Sequence, residues 1–93
     1  MSQRNNMVSR WRCDTVYILE YFRFSDRQVL TETREMKGKR TEEYIRKRLK
    51  LDMPDGEMII SIQVIGYKRR LFALPDAEFY EKANVIKEES EAI

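Results

Sequence analysis

The fold is decided by residues 12–24, which read RCDTVYILEYFRF. β-Branched and aromatic side chains dominate this stretch, and such residues favour an extended strand. Successive strand residues point to opposite faces, which places Val16, Ile18, Phe22 and Phe24 on one side and Tyr17, Leu19 and Tyr21 on the other. Because both faces are apolar, the sequence predicts a central strand that is covered on part of each side.

The residues that follow predict a hairpin partner for this strand. Ser25 and Asp26 are turn formers, and residues 27–36 alternate polar side chains with Val29 and the two threonines of the segment. This pattern is typical of a half-exposed edge strand, whose charged side chains limit unwanted pairing. Such an edge also offers a place for a strand from a partner or from a second copy of the chain.

A single helix is predicted after the break at residues 36–39. Thr41 is a suitable N-cap, and Glu42 and Glu43 lie in the first turn, where the helix dipole favours anions. The helix is predicted to extend to about Leu51 and to present an apolar stripe at helical spacing. That stripe consists of Ile45, Leu49 and Met53, flanked by Tyr44 and Leu51.

A Pro-Asp-Gly turn at residues 54–56 leads into a third strand, residues 57–67. Strict alternation predicts one apolar face, formed by Met58, Ile60, Ile62 and Val64. Two continuations fit the glycine at position 66 equally well. Either Lys68 and Arg69 make a tight reversal into a fourth strand at residues 70–74, or one long strand bends through Gly66.

A second helix is predicted from Asp76, with an apolar face of Phe79, Tyr80, Ala83 and Ile86. The predicted order is therefore ββαβ(β)α. This is an α+β fold, in which a small antiparallel sheet of three or four strands carries one crossing helix and a C-terminal helix. The expected organisation is a flexible basic arm at residues 1–11, one domain at residues 12–87 and an acidic tail at residues 88–93.

The composition argues against catalysis. The 93 residues include no histidine and one cysteine, so Cys13 and the serines lack the usual activating base. The glycines are isolated, which excludes a phosphate-binding loop, and no acidic cluster has the spacing of a calcium loop. Glu20 is unusual in an apolar strand, and we expect it to pair with a strand arginine such as Arg27 or Arg34, or to lie at the sheet rim. We predict no enzyme activity, no cofactor and no metal site.

The charges are distributed unevenly. Residues 1–75 carry 16 Lys and Arg against 10 Asp and Glu, whereas residues 76–93 carry 2 against 6. Such polarity is typical of a surface that meets an anionic partner. The predicted partner-binding residues are Lys37, Lys39, Arg40, Arg46, Lys47, Arg48, Lys50, Tyr67, Lys68, Arg69 and Arg70. For the helix cations, the alternative is a solvated face paired with Glu42 and Glu43.

These features predict a small non-catalytic protein that binds a macromolecule. The first hypothesis is a regulator or inhibitor that docks through its basic surface on a host or cognate protein with an acidic surface. The alternative is an accessory protein that places the same cations on RNA or DNA phosphates, although no nucleic-acid-binding signature is present. Trp11, between two arginines, is either an interface anchor or a residue that closes the core.

Composition also bears on the setting of the protein. With one cysteine and no apolar leader or spanning segment, we expect a cytoplasmic protein with no membrane partner. A short chain gains stability from dimerisation, so a homodimer is among the expected assemblies. The size and charge density also resemble those of small phage or mobile-element proteins that dock on host machinery, which is an analogy of composition only.

Overall fold

A computed structural model describes residues 8–74 and 84–93 of the chain. The described part is mostly sheet, with one short helix. Its elements are β1 (Val8–Arg23), β2 (Gln28–Met36), α1 (Glu42–Asp52), β3 (Glu57–Leu74) and β4 (Asn84–Ala92). All neighbouring strands are antiparallel and lie in the order β2-β1-β3-β4.

The predicted C-terminal helix is wrong, because the described chain ends in a strand. The order is ββαββ, and β4 pairs with β3 from Gly66↔Ala92 to Ala73↔Asn84. β3 is long enough to offer an open edge there, and a strand on that edge satisfies backbone groups that a helix would leave unpaired in the sheet. Ile86, predicted for the helix face, lies in β4 and is 56% exposed. The other predicted helix residues, Asp76, Phe79, Tyr80 and Ala83, lie outside the described residues.

The sheet also takes in residues predicted to flank it. β1 begins at Val8, so residues 8–11 of the predicted arm pair with β3 from Leu71 to Leu74. Residues 1–7 lie outside the described part of the chain. At the other end, residues 88–92 of the predicted acidic tail belong to β4. In both places an open strand edge supplies the hydrogen bonds that a polar, aperiodic segment needs to become extended.

β3 is one long strand, as the second of the two alternatives for Gly66 predicted. The strand runs through Gly66, where the register with β1 shifts between Val16 and Tyr17. A side chain at position 66 would collide with the backbone carbonyl oxygen of Glu91 in β4. Glycine therefore allows the close approach of these two strands.

The hydrophobic core lies between α1 and one face of the sheet. Its buried members are Tyr17, Leu19, Tyr21, Ile45, Leu49 and Ile62. The predicted apolar face of β3 is partly wrong, because the register shifts between Glu20 and Tyr21 and leaves Ile60 without a partner on β1. After this bulge Ile59 replaces Met58 and Ile60 in the packing, and the latter two remain 52% and 42% exposed.

The helix begins and ends close to its predicted limits. Thr41 is the N-cap, and its hydroxyl oxygen accepts a hydrogen bond from the Tyr44 N–H at 3.2 Å. Glu42 accepts one from the N–H of Val64, at 3.0 Å, so the helix start is tied to the edge of β3. In the described part of the chain, no helix has the length and apolar character needed to cross a membrane.

The offset of the outer strands divides the molecule into two halves. β2 pairs only with residues 15–23 of β1, and β4 pairs only with residues 66–73 of β3. We call residues 15–66 the helix-covered half, and residues 8–14, 67–74 and 84–92 the three-stranded half. The result is elongated, 62 × 27 × 20 Å, with a radius of gyration of 17.2 Å, whereas a compact domain of this length has about 12 Å.

Candidate functional site

The segment between β2 and α1 is held on β1 at the junction of the two halves. The hydroxyl of Thr15 donates to the Gly38 carbonyl and accepts from the Arg40 N–H, both at 2.8 Å. A carboxylate oxygen of Asp14 accepts from the Gly38 N–H at 3.2 Å. Asp14 and Thr15 are buried, and Gly38 has a φ of 88°, which glycine adopts without strain. This anchoring fixes the backbone that carries Lys39.

Two cations lie over aromatic rings on the same side of the sheet as α1. The Lys39 ammonium is 4.8 Å from the centre of the Tyr67 ring, and the Arg69 guanidinium is 4.6 Å from that of Trp11. Tyr67 and Arg69 are alternate residues of β3, so their side chains point the same way. We call Trp11, Lys39, Tyr67 and Arg69 the cation–aromatic face.

Acidic side chains of β4 border this face. Arg69 lies opposite Glu89, and their charged groups are 3.5 Å apart. Glu91, two residues after Glu89 in β4, lies opposite Tyr67. The Trp11 side chain remains 41% exposed. The face therefore combines exposed aromatic surface with charges of both signs.

The opposite side of the sheet contains a cluster of charges centred on Arg70. Its guanidinium contacts Asp14 at 3.0 Å, Glu35 at 2.8 Å and Glu88 at 2.6 Å, which joins β3 to the other three strands. Arg12 also binds Asp14, with two contacts of 2.9 Å. The Arg70 side chain is 17% exposed. Arg70 thus serves the sheet itself, and we leave it out of the proposed contact surface.

The electrostatics of this cluster agree with a structural role. The hydrogen bond that Arg70 donates to Glu35 lowers the pKa of the Glu35 carboxyl, and the same bond raises the pKa of Arg70. Lys68 adds a further contact to Glu35, at 3.4 Å. Of the predicted cations, Lys68 and Arg70 are therefore both neutralised by partners in the sheet.

The helix cations divide into two groups. Lys47 pairs with Glu43 at 3.6 Å, as the i,i+4 spacing predicted, and Arg48 pairs with Asp52 at 3.2 Å. The other two, Arg46 and Lys50, border a shallow depression of about 330 Å³ at the end of the helix-covered half. Within the described residues, five predicted cations have no ion-pair partner: Lys37, Lys39, Arg40, Arg46 and Lys50.

Arg40 is held by contacts other than ion pairs. Its guanidinium lies 4.4 Å from the centre of the Tyr44 ring, and its Nε donates to the Lys37 carbonyl at 3.1 Å. Lys37, Lys39 and Arg40 thus gather at the N-terminal end of α1, and Lys39 is itself part of the cation–aromatic face. Arg46 and Lys50 lie farther along the helix.

Two residues considered for chemistry have ordinary surroundings. Glu20 accepts a hydrogen bond from the Ser61 hydroxyl at 3.2 Å, and Arg34 pairs with Glu32 instead. Cys13 is half-buried in β1. Among the residues that the structure describes, no group of three or more Cys, Asp or Glu is placed to hold a metal ion.

The sequence left two interpretations of Trp11 open, an interface anchor or a core residue, and it did not predict the contact between Trp11 and Arg69. The contact depends on the register of β1 and β3, which sets Cys13 opposite Arg69 and Trp11 opposite Leu71. The sequence signal was only the Trp-Arg combination at the start of a strand. Its exposure favours the interface anchor over the core residue.

Comparison of the chain with protein-family models, with curated proteins and with solved structures finds no match. Its function is therefore inferred from the geometry and chemistry of its own residues.

Proposed function

We propose that this chain is a non-catalytic protein-binding module, a regulator or inhibitor, that docks on an acidic partner protein through the cation–aromatic face. The observation that supports this most directly is the Arg69–Trp11 stack beside the Lys39–Tyr67 stack. Tryptophan, tyrosine and arginine are the residues that dominate binding energy in protein interfaces. Here all three are placed together on the surface of a sheet.

The site is held ready before a partner arrives. Trp11, Tyr67 and Arg69 belong to paired strands, and the segment that carries Lys39 is bonded to Asp14 and Thr15. Side chains that are already ordered lose less conformational entropy on binding.

The charges favour a protein over a nucleic acid. Glu89 neutralises Arg69, and Glu91 adds a negative charge opposite Tyr67. Phosphate binding requires a series of cations whose counterions are released, and an acidic border opposes it. A protein partner with a mixed, mainly acidic surface suits both the border and the unpaired cations at the start of α1.

Capture followed by affinity measurement tests the proposal. The immobilised chain would be exposed to a nuclease-treated extract of the source cells, and the retained protein would be purified for titration. The double variant K39E/R69E should weaken its binding by at least about 100-fold, since each side chain acts as an anchor. The matched control K47E/R48E makes the same change of charge on exposed helix residues and should keep most of the affinity.

Two outcomes would contradict the proposal. Equal losses in both double variants would mean that net charge, and not the cation–aromatic face, governs binding. A retained protein that binds K39E/R69E as tightly as the wild type would place the interface elsewhere. Circular dichroism and thermal unfolding within a few degrees of the wild type would show that the variants are folded.

Nucleic-acid binding remains the second candidate because Lys37, Lys39 and Arg40 lack acidic partners, and because Lys39 and Arg40 lie over tyrosine rings. Fluorescence anisotropy with labelled single- and double-stranded oligonucleotides, at several salt concentrations, separates the two functions. A steep fall of log affinity with log salt, made shallower by Lys39→Glu, would replace the protein-binding proposal. Affinity that is absent even at low salt would exclude the nucleic-acid candidate.

A further inference from the structure

The outer edge of β2 is a regular strand edge in the described structure. Its nine residues pair with β1 without any register shift, from Thr15↔Met36 to Arg23↔Gln28. Every second residue of an edge strand directs its backbone N–H and C=O groups away from the sheet. Val29 on this strand is 55% exposed. In the described part of the chain, no strand covers this edge.

Self-pairing of such an edge is restricted by symmetry. In a two-fold antiparallel pair, two residues that lie opposite each other must both direct their backbone groups toward the partner strand or both direct them away from it. The axis therefore passes midway between one residue and the same residue of the second copy. An axis at Glu32 or at Arg34 would set like charges directly opposite each other, which is destabilising. An axis at Thr33 instead sets each Glu32 opposite Arg34 of the second copy.

The Thr33 register also fits the apolar residues. It places Leu30 opposite Met36 of the second copy, and both residues already pack against the core on the helix side of the sheet. Pairing would therefore extend that core from one copy into the other. On the opposite side of the sheet, Thr31 of one copy lies opposite Glu35 of the other. Because threonine is uncharged, this pair has no electrostatic repulsion.

The other outer edge lacks this property. β4 carries Lys87, Glu88, Glu89 and Glu91 in five consecutive positions. If two copies of β4 paired about a two-fold axis at any residue from Lys87 to Ser90, like charges would lie directly opposite each other. The pairing of β4 with β3 is also irregular, with a shift between Leu71 and Phe72. These are the features by which edge strands avoid association.

We propose that β2 pairs with β2 of a second copy about a two-fold axis at Thr33, forming a homodimer with one continuous eight-stranded sheet. Trp11, Tyr67 and Arg69 of the cation–aromatic face lie on β1 and β3 in the other half of each copy, and Lys39 lies beyond the end of β2, so the face stays open in this arrangement. The axis is perpendicular to the sheet, so both faces lie on the same side of the dimer. The dimer does not depend on the proposed function, because it uses a different edge.

Charge reversal tests the register. Sedimentation of the full chain should show a wild-type dimer, whereas E32R and R34E should each raise the dimer dissociation constant at least about tenfold, because like charges then face each other. Mixing the two variants should restore a dimer, since each charge again meets its opposite. The control pair K87E and E89K changes the β4 edge and should leave the wild-type dimer intact.

Cysteine cross-linking provides a second test that does not disturb the Tyr21–Glu32 hydrogen bond. In a Cys13→Ser background, Thr33→Cys should form a disulfide-linked dimer under mild oxidation, because directly opposed residues lie at bonding distance. Thr31→Cys, two residues from the axis, is the matched control and should not cross-link. A wild-type chain that stays monomeric at high concentration, or cross-linking at both positions alike, would overturn the proposal.

Discussion

The two halves of the sheet are stabilised by different interactions although the same two strands run through both. In the helix-covered half, α1 packs on a cluster of apolar side chains that includes the fully buried Leu19 and Ile45. In the three-stranded half, Phe72 and Ala73 are buried, but the strands are also joined by charged groups around Arg70. One half thus resembles an ordinary small core, and the other relies on ion pairs.

This difference follows from the neighbours that each half of β1 and β3 receives. Where α1 covers the sheet, burial of apolar surface stabilises the packing. In the three-stranded half, β4 adds an edge rich in glutamates, and two of these, Glu88 and Glu89, lie opposite arginines of β3. A charged edge both pairs with its neighbour and resists association with other chains. The lesson is that surface charges of opposite sign need not form a binding site, because many of them hold strands together.

Truncation of matched leucines tests this contrast most strongly. Leu19 and Leu71 lie on the helix side of β1 and β3, one in each half. Leu19→Ala should lower the free energy of unfolding by about 2–5 kcal/mol, since a fully buried leucine leaves a cavity. Leu71→Ala, at a half-buried position, should cost about 1 kcal/mol or less. Urea denaturation of both variants measures the difference, and equal costs would show that the two halves are packed alike.

Replacement of the central arginine tests the other half. Arg70→Met keeps most of the side-chain volume but removes the cation of Glu88 and the closer of the two cations of Glu35, which keeps Lys68, while Asp14 keeps Arg12. Loss of one member of a buried charge cluster is strongly destabilising, and partial exposure here reduces the expected cost to about 2 kcal/mol.

Hydrogen exchange of the same variant locates the effect. Amides of β4 should exchange faster in Arg70→Met, because Glu88 then no longer ties this strand to the cluster. The exposed pair of Arg48 with Asp52 provides the control, and Arg48→Met should change stability by less than about 0.5 kcal/mol. An Arg70→Met protein as stable as this control would mean that the cluster contributes no net stability.

Local patterns predicted the elements whose contacts are local. Thr41 as N-cap and the pair of Glu43 with Lys47 are separated from their partners by three or four residues, and the structure has both. The prediction of a second helix was wrong because residues 84–92 pair with the open edge of β3, and no local sequence pattern encodes that pairing. Strict alternation on β3 failed at Ile60 because a bulge depends on the register with β1.

The candidate site shows the same limit. The predicted set of cations was defined by clustering along the chain, but their availability depends on partners far away in sequence. Arg70 meets Glu88, 18 residues later, and Asp14, 56 residues earlier. Such contacts arise only once strand order and register are set. The sequence therefore identified cations that are clustered along the chain but could not separate those that hold the sheet together from those that remain unpaired.

Glycine substitution tests how tightly β3 and β4 approach each other. A methyl group at position 66 would meet the carbonyl oxygen of Glu91, so Gly66→Ala should displace β4 and cost about 1–3 kcal/mol. Gly56→Ala is the matched control, because no atom outside its two chain neighbours lies within 4 Å of the added carbon. It should leave the urea midpoint nearly unchanged. Similar midpoints for the two variants would argue against the close pairing of these strands.

The smallest expected effect is the acid sensitivity of the cluster. The hydrogen bond from Arg70 lowers the pKa of Glu35 below its ordinary value of 4.5. The unfolded chain therefore binds more protons than the folded one as pH falls below that value. The stability from Glu35 is fully present above about pH 4.5 and is lost as pH falls through the lower, folded-state pKa.

Urea midpoints at about pH 6 and about pH 3 should differ more in the wild type than in Arg70→Met, because the variant loses the largest contribution to the lowered pKa of Glu35 and keeps only the weaker one from Lys68. Glu32 provides the internal comparison. Its pKa is lowered mainly by the hydrogen bond from the Tyr21 hydroxyl, and Arg70→Met leaves that bond in place. The variant should thus keep a residual acid sensitivity that Tyr21→Phe then reduces. If Arg70→Met lost as much stability at low pH as the wild type, the ion pairs around Arg70 would not be the source of the acid sensitivity. The proposed contrast between the two halves would then be wrong.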